Sequence, residues 1–380
     1  MSARLPAIAA LSALALVLTG CVGEEQTAVG VDEIKLATLG DITASQQAFV
    51  DRFEELSEGS VSIDVTENWE PSGGTDSAEV ALAKAVLAGD IDVAWIPTRA
   101  LSGLGVTGIE ALEAPLLVQT HEQQKAVASG VPGEIIRNAL RNTGLDGLAL
   151  LPGPMQYPAA SGAPVVDVAG WAGKTAAVGA AGADNTVELA TMEALGATPS
   201  AGSGSATSDL IGGSAQVGAA DLEDFLAAGG SATGPFLTIN VPLWPKMSMI
   251  VINSTVHDRL SSRQNGFLDG AVVRAQDFAM STADSAATVS GSETDDDPAT
   301  NDAVRVIDAA CGLGPIAATA TADQLAAFTE AVKPVYAKLK DDTKEARLLD
   351  AIEEVVKKHA GVGSLPVPGT CIYVAPPPPA

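Results

Sequence analysis

Residues Ile34 to Val65 read IKLATLGDITASQQAFVDRFEELSEGSVSIDV, and the fold class follows from them. IKLAT predicts a short strand, and VSIDV alternates apolar and polar residues as a half-buried strand does. Between them, residues Asp41–Gly59 predict an amphipathic helix that stops at its glycine. Its apolar residues fall on one stripe: Ala48, Phe49, Phe53 and Leu56. A strand, a helix and a second strand in this order predict a β-α-β unit.

The same alternation continues along the chain. After a turn at Asn68–Gly74, a helix is predicted from Asp76 or Ser77 through Leu87, before a strand at Ile91–Trp95. The later predictions are helices on both sides of Pro132 within His121–Thr143, strands at Leu148–Leu151 and Lys174–Val178, a helix at Thr186–Leu195, strands at Phe236–Asn240 and Met249–Asn253, and mostly helix from His257 onward. Strands that alternate with helices predict the α/β class, with mostly parallel sheets flanked by helices.

Composition and charge exclude several functions. The chain is 47% hydrophobic and 18% charged, which indicates that it folds. Its 380 residues are more than one compact core usually holds. A net charge of −26 repels phosphate backbones, so nucleic acid is excluded as a partner. Three His and three distant Cys give little material for a zinc site, and the acidic loop at 292–302 does not have EF-hand spacing. We expect neither a metal site nor a cofactor.

The amino terminus looks like a bacterial lipoprotein signal. An apolar run at Ala7–Leu18 is too short to span a bilayer permanently, and it ends in Leu18-Thr19-Gly20-Cys21. The resemblance implies cleavage after residue 20, a lipid on the Cys21 thiol and a tether over 21–31. An ordinary cleaved secretion signal is the alternative.

Two cysteines remain for the secreted body. Cys311 and Cys371 are an even number in an oxidising compartment, which favours a disulfide that fastens the last segment. Two buried free thiols are the alternative.

Several fragments between Ile34 and Leu260 resemble the solute-binding subunits of TRAP-type transporters. Ala88-Gly89-Asp90-Ile91-Asp92-Val93-Ala94 is similar to the family's turn and strand, and Gly173–Val178 after Trp171 is similar to another of its strands. The segment Glu193–Pro199 matches a third motif closely, and 48–59 and 61–65 resemble the opening helix and second strand.

This resemblance implies a type II periplasmic-binding-protein-like fold with two lobes that close on a ligand, and no catalysis. It places lobe 1 at 32–155 plus about 245–290, lobe 2 at 156–244, and C-terminal helices with a Pro-rich tail at 291–380. The implied function is capture of a small organic acid or related polar metabolite, and delivery to membrane permease subunits from the outer face of the cytoplasmic membrane.

One departure from the family concerns its ligand arginine. Ala177 stands where the family has an arginine that clamps a carboxylate, and the segment from Gln216 to Asp221 follows the family's next motif only loosely. Arg99 lies shortly after the Trp95 strand end, in a segment predicted to be a loop facing the cleft. It is therefore a candidate substitute cation, and a solvated loop arginine is the alternative.

The other cleft candidates follow strand ends, where open parallel sheets bind ligands. They are Trp69, Glu70, Trp95, Thr98, Tyr157 and Trp244, together with Asn185 beside the start of a helix. The alternatives are that the rings belong to the core or cover a hinge, and that Asn185 is a helix cap.

Three other functions remain in competition with TRAP transport. A receptor for an ABC importer uses similar lobes, and a lipoprotein that has lost transport could act as a sensor or structural protein. An enzyme is disfavoured because no nucleophile elbow, phosphate loop or dinucleotide fingerprint occurs.

Overall fold

The computed structural model describes residues 30–71, 77–179, 186–201, 206–227, 236–287, 311, 316–361, 363–364, 367 and 369–373. The predicted signal, Cys21, Asn185, the acidic loop at 292–302 and the Pro-rich end lie outside these residues. Within them, no helix is both long and apolar enough to cross a membrane.

A five-stranded sheet, here called the first sheet, begins with the predicted β-α-β unit. Its strands are β1 (Glu33–Ala37), β2 (Ser62–Thr66), β3 (Val93–Pro97), β4 (Leu145–Leu151) and β11 (Ser248–Asn253), in the order β2-β1-β3-β11-β4. Strands β1, β2 and β3 are parallel, whereas β11 is antiparallel to both of its neighbours.

Helices cover both faces of the first sheet. They are α1 (Ala44–Ser57), α2 (Ala78–Ala88), α3 (Thr98–Gly103), α4 (His121–Ser129), α5 (Val131–Ala139), α9 (Ser254–Arg259) and α10 (Ser262–Ala287). Helix α1 begins at a capping box in which Thr43 and Gln46 each bond the other's backbone N–H. Its buried Phe53 meets Phe267 of α10 edge-on, with ring centroids 6.2 Å apart. Phe49, Phe53 and Leu56 of the predicted stripe therefore pack in or against the core, whereas Ala48 is only half-buried.

The second sheet holds strands from the middle of the chain and one from its end. They are β5 (Met155–Ala160), β6 (Thr175–Val178), β7 (Thr198–Ala201), β8 (Val217–Ala220), β9 (Phe236–Thr238) and β12 (Ala317–Ala318), in the order β12-β9-β5-β8-β6-β7, with β10 (Trp244–Pro245) paired to β5. Helices α6 (Thr186–Ala194), α7 (Ala206–Gly212) and α8 (Leu222–Ala227) belong to the same part of the chain.

The chain crosses between the two sheets at residues 152–154 and again at 246–247. The crossings touch, because Lys246 N–H donates to the Pro154 carbonyl at 2.9 Å. Each crossing leads into a strand, β5 or β11, that runs antiparallel to its sheet neighbours. The sheets are therefore mixed and flanked by helices, which confirms the predicted fold class. Parallel pairs do not predominate as the sequence indicates, because five of the described strand pairs are parallel and five are antiparallel.

The helices that follow β12 pack against both sheets. Helix α11 (Ala322–Ala331) places Phe328 in the core of the second sheet. Helices α12 (Lys333–Asp341) and α13 (Thr343–Lys358) instead place Leu339 and Leu348 in the core of the first. The Glu345 carboxylate of α13 accepts the backbone N–H groups of Gly108 at 2.7 Å and Ala111 at 2.9 Å.

A disulfide joins Cys311 to Cys371, as the sequence predicts, with Cα atoms 4.9 Å apart. Cys371 is fully buried under the second sheet. Its carbonyl accepts the Ile316 N–H at 2.9 Å, and the Tyr373 N–H donates to the Ala317 carbonyl at 2.6 Å. The bond therefore holds the end of the chain alongside β12.

Candidate functional site

A polar cavity lies where the two sheets face each other. It has an empty volume of about 500 Å³, including space open to solvent. Strands β3, β6 and β8 end beside it, since Arg99 follows β3, Gly179 follows β6 and Asp221 follows β8. Carboxyl ends of strands are the usual place for ligands in open α/β sheets. The lining residues are Arg99, Glu113, Gln156, Gly179, Glu188, Ala206, Thr207, Ala219, Ala220, Asp224, Trp244 and Lys246.

Arg99 is the cation on the first-sheet side of this cavity. It lies in α3, not in the loop predicted from the sequence, because the chain turns into a helix directly after Pro97. Its Nε and Nη2 donate to the Glu79 carboxylate at 2.9 and 2.6 Å, a bidentate pair. Burial alone would lower the pKa of Arg99, but Glu79, Glu113 and Glu188 raise it above its ordinary value.

Lys246 is the cation at the crossing. Its Nζ donates to Asp221 and to Asp224, each at 3.1 Å. The buried Asp221 also accepts the Gln156 amide at 2.9 Å and the Asp224 N–H at 2.8 Å. Burial opposes the charge of Asp221, yet Lys246 and these hydrogen bonds hold its pKa below the ordinary value. Two carboxylates therefore neutralise this ammonium.

Glu188 brings a carboxylate from α6 into the cavity. One oxygen accepts the Gly179 N–H at 3.1 Å. Burial raises the pKa of Glu188 above its ordinary value, against the opposing effects of this hydrogen bond and of Arg99 and Lys246. The cations around the cavity thus compensate the charge of Glu188 only in part.

Thr207 contributes a buried hydroxyl to the cavity. The residue lines the cavity from α7 and is only 1% exposed. Its Oγ1 has no hydrogen-bond partner within the described structure. Because a buried hydroxyl without a partner is costly, this atom is a place where a ligand would gain a contact.

The structure brings together some of the ligand candidates read from the sequence. Arg99 and Trp244 line the cavity, and Thr98 lines a smaller one that shares Arg99 and Glu113. The Thr98 hydroxyl is occupied, since it donates to the Met247 carbonyl at 3.2 Å.

The remaining candidates lie elsewhere. Trp69 packs on the core of the first sheet, and Glu70 is exposed. Trp95 meets Phe49 edge-on at 5.2 Å in the opposite core, because alternate residues of β3 face opposite sides of the sheet. Tyr157 is buried on the face of β5 away from Gln156, and this burial raises the pKa of its hydroxyl. These four side chains do not line the polar cavity.

Sequence reasoning missed Glu188, Thr207 and Lys246. The signal for Lys246 was present, since it stands with Trp244 between two return strands. Ala177, where the resemblance places an arginine, is buried, and its methyl group lies close to Gly218. It brings no charge to the cavity.

Solved structures of other proteins are similar to this fold. No protein-family model matches the sequence, and no curated protein is similar to it. Among solved structures, a TRAP periplasmic solute-binding protein from Ralstonia eutropha H16 with bound (S)-2-acetolactate is 18% identical, with a TM-score of 0.70 over 86% of this chain and 99% of that one.

Two further structures show the same likeness. The sugar acid binding protein of Advenella mimigardefordensis in complex with galactonate is 16% identical, with a TM-score of 0.70 over 87% of this chain and 100% of its own. A TRAP periplasmic solute-binding protein from Sulfurospirillum deleyianum with bound succinate is 17% identical, with a TM-score of 0.68 over 86% and 99%. The chain therefore has the fold of the TRAP periplasmic solute-binding proteins, as its sequence fragments predict.

Proposed function

We propose that this protein is an extracytoplasmic solute-binding lipoprotein. It captures a small polar organic solute in the cavity between its two sheets and delivers it to a TRAP-type membrane permease. The observation that carries this proposal is a polar cavity at strand ends, to which both sheets contribute charged side chains. The similar structures with bound organic acids and sugar acids support the same function.

The mechanism is a population shift. A solute that touches Arg99 and Glu113 on one side and Glu188 and Thr207 on the other makes all its contacts only when the two sides are close. Its greater affinity for the closed form therefore supplies the free energy of closure. The membrane subunits would then recognise the closed form.

A ligand screen tests the solute-binding function. The purified protein is heated with a broad library of organic acids, amino acids, amines, sugars and osmolytes, and a binding solute raises the unfolding midpoint by mass action. A hit should also reduce the radius of gyration in small-angle scattering. A library without any hit would contradict the proposal and favour a sensor or structural lipoprotein.

The anchoring part of the proposal is tested separately. We propose that a lipid on Cys21 holds the protein at the outer face of the cytoplasmic membrane. Expression of the full chain in a bacterium should yield membrane-bound protein whose amino-terminal peptide carries diacylglycerol by mass spectrometry. The Cys21→Ser variant should be released, and a membrane fraction equal to that of the unsubstituted chain would contradict the anchor. Neighbouring genes distinguish a TRAP permease from the ATPase of an ABC importer.

A further inference from the structure

The charge of the cavity indicates which solutes it accepts. Among the described lining residues, the cations are Arg99 and Lys246, and the carboxylates are Glu113, Glu188 and Asp224. Both cations already have carboxylate partners, because Glu79 binds Arg99 in bidentate fashion and Asp221 and Asp224 bind Lys246. A carboxylate ligand would have to displace these partners and enter a region where negative charge is in excess.

The pKa of Glu188 also indicates an excess of negative charge in the cavity. Its carboxylate lies within the influence of Arg99 and Lys246, and yet burial keeps its pKa above the ordinary value. A positive charge brought by a ligand would compensate this half-buried carboxylate. A second negative charge would instead destabilise it.

The other groups of the cavity are suited to a cation as well. The Thr207 hydroxyl, buried and without a hydrogen-bond partner among the described residues, has oxygen lone pairs that can accept an N–H bond. The Trp244 indole lines the same space, and aromatic rings attract ammonium groups through their π faces. The hydroxyl is independent of the carboxylates, since it lies on α7 and has no hydrogen bond to them.

We infer that the solute captured by this cavity carries a positively charged nitrogen, which is held by Glu188 with Thr207 and Trp244. This inference rests on the proposed function and narrows it to amines, quaternary ammonium compounds or zwitterions. A zwitterion's carboxylate would reach toward Arg99 or Lys246 on the other side of the cavity.

Calorimetry with four probes tests the inference. The purified full chain is titrated with putrescine, choline, glycine betaine and succinate at low ionic strength. We expect at least one of the three probes with a positively charged nitrogen to bind and succinate to bind at least about tenfold more weakly, the ratio that corresponds to one charge-assisted contact. Affinity for a bound cation should also fall as salt is added.

Two variants assign the contact. Glu188→Gln should weaken binding of the cationic probe about tenfold, and Thr207→Val should weaken it by a smaller factor. Glu193→Gln is the matched control, because it lies exposed on the same helix and should leave the affinity unchanged. Unfolding midpoints establish that each variant is folded.

The outcomes separate this inference from the proposed function. Tight succinate binding without cation binding would overturn the inference and leave the solute-binding function intact. Cation binding that Glu188→Gln leaves unchanged would overturn it too. If none of the four probes binds, the inference is overturned, and the proposed function then depends on the broad library.

Discussion

At the scale of single residues, Lys246 decides much of the electrostatics of the cavity. Its ammonium is the group that makes the buried carboxylate of Asp221 tolerable, and Asp224 shares the same cation. Removal of one partner from a buried ion pair is far more costly than removal of an exposed pair, because the other charge is left without compensation.

Lys246→Met should therefore lower the free energy of unfolding by about 3 kcal/mol. Urea unfolding at pH 7 measures the change. Lys333→Met is the matched control, because Lys333 and Glu330 form an exposed pair and such pairs contribute less than about 1 kcal/mol. Equal effects of the two substitutions would contradict the role given to Lys246.

The stability lost in Lys246→Met should depend on pH, and the direction follows from the pKa of Asp221. The folded protein holds the pKa of Asp221 below its ordinary value, so the stability from this carboxylate is present above that value and is lost as the pH falls toward the folded pKa. In Lys246→Met this contribution is absent at every pH. The stability difference between the two proteins should therefore shrink as the pH is lowered from 7 to 3, and a constant difference would contradict the assignment.

How far the sequence predicts the site also depends on single residues. Arg99 and Trp244 could be found because each follows or joins a recognisable strand. Glu188 and Thr207 could not be found, because the sequence around each is that of an ordinary helix. Only the fold brings them into the same cavity as Arg99 and Lys246. Trp95 lies outside the cavity because its side chain points to the other face of β3, which the sequence does not reveal.

At the scale of secondary-structure elements, Asn253 connects two helices. Its Oδ1 accepts the N–H groups of Thr255 at 2.9 Å and Val256 at 3.2 Å and so caps α9. Its Nδ2 donates to the Val86 carbonyl at 2.9 Å, near the end of α2. One buried amide thus satisfies backbone groups of both elements.

Asn253→Ala should cost about 2 kcal/mol, because the cap and the bond to α2 are lost together. Asn253→Asp keeps the cap acceptor but loses the donor, so its midpoint in thermal unfolding should lie between those of the wild type and the alanine variant. An aspartate variant as stable as the wild type would show that the bond to Val86 contributes nothing.

The sequence predicts some helices and strands closely and others not at all. Helix α1 and strand β2 follow the sequence closely, since strong periodicity and a glycine stop mark them. The prediction omitted β5, whose residues MQYPAA are all buried and include a proline, so no alternation appears. Strands β7 and β8 are short and lie in a Gly- and Ala-rich region that gives little pattern.

At the scale of the whole molecule, the two sheets are joined where the crossings touch. Gly153 permits this contact, because a Cβ there would overlap the Lys246 carbonyl oxygen. Its N–H donates to the Gln124 side chain at 3.0 Å, so α4 fixes the same point. The backbones can approach this closely only without a side chain.

Gly153→Ala should lower the free energy of unfolding by about 1 to 3 kcal/mol, since the crossings must move apart. Gly266→Ala is the control, because this glycine lies inside α10 with open space around it and alanine favours a helix. Chemical denaturation should show opposite signs for the two substitutions. A neutral Gly153→Ala would contradict the close packing of the crossings.

The disulfide acts over a longer span of chain. Cys311 and Cys371 are 60 residues apart, and the chain-entropy model gives about 4 kcal/mol for closing such a loop. The double variant Cys311→Ser, Cys371→Ser should therefore unfold at a markedly lower temperature than the oxidised protein. Reductant should lower the midpoint of the wild type alone, and an equal response of both proteins would contradict the bond.

The placement of α11 on one sheet and of α12 and α13 on the other limits how the molecule can move. The boundary between them falls at Val332 and Lys333, since Val332 packs in the core of the second sheet and Val335 packs in the core of the first. A rotation of one sheet relative to the other about the crossings would also have to bend the chain at the junction between α11 and α12. We therefore expect only a small rotation between the open and closed forms. Helices α11–α13 connect the two sheets at a second place besides the crossings, and this connection restricts how far the sheets can move apart.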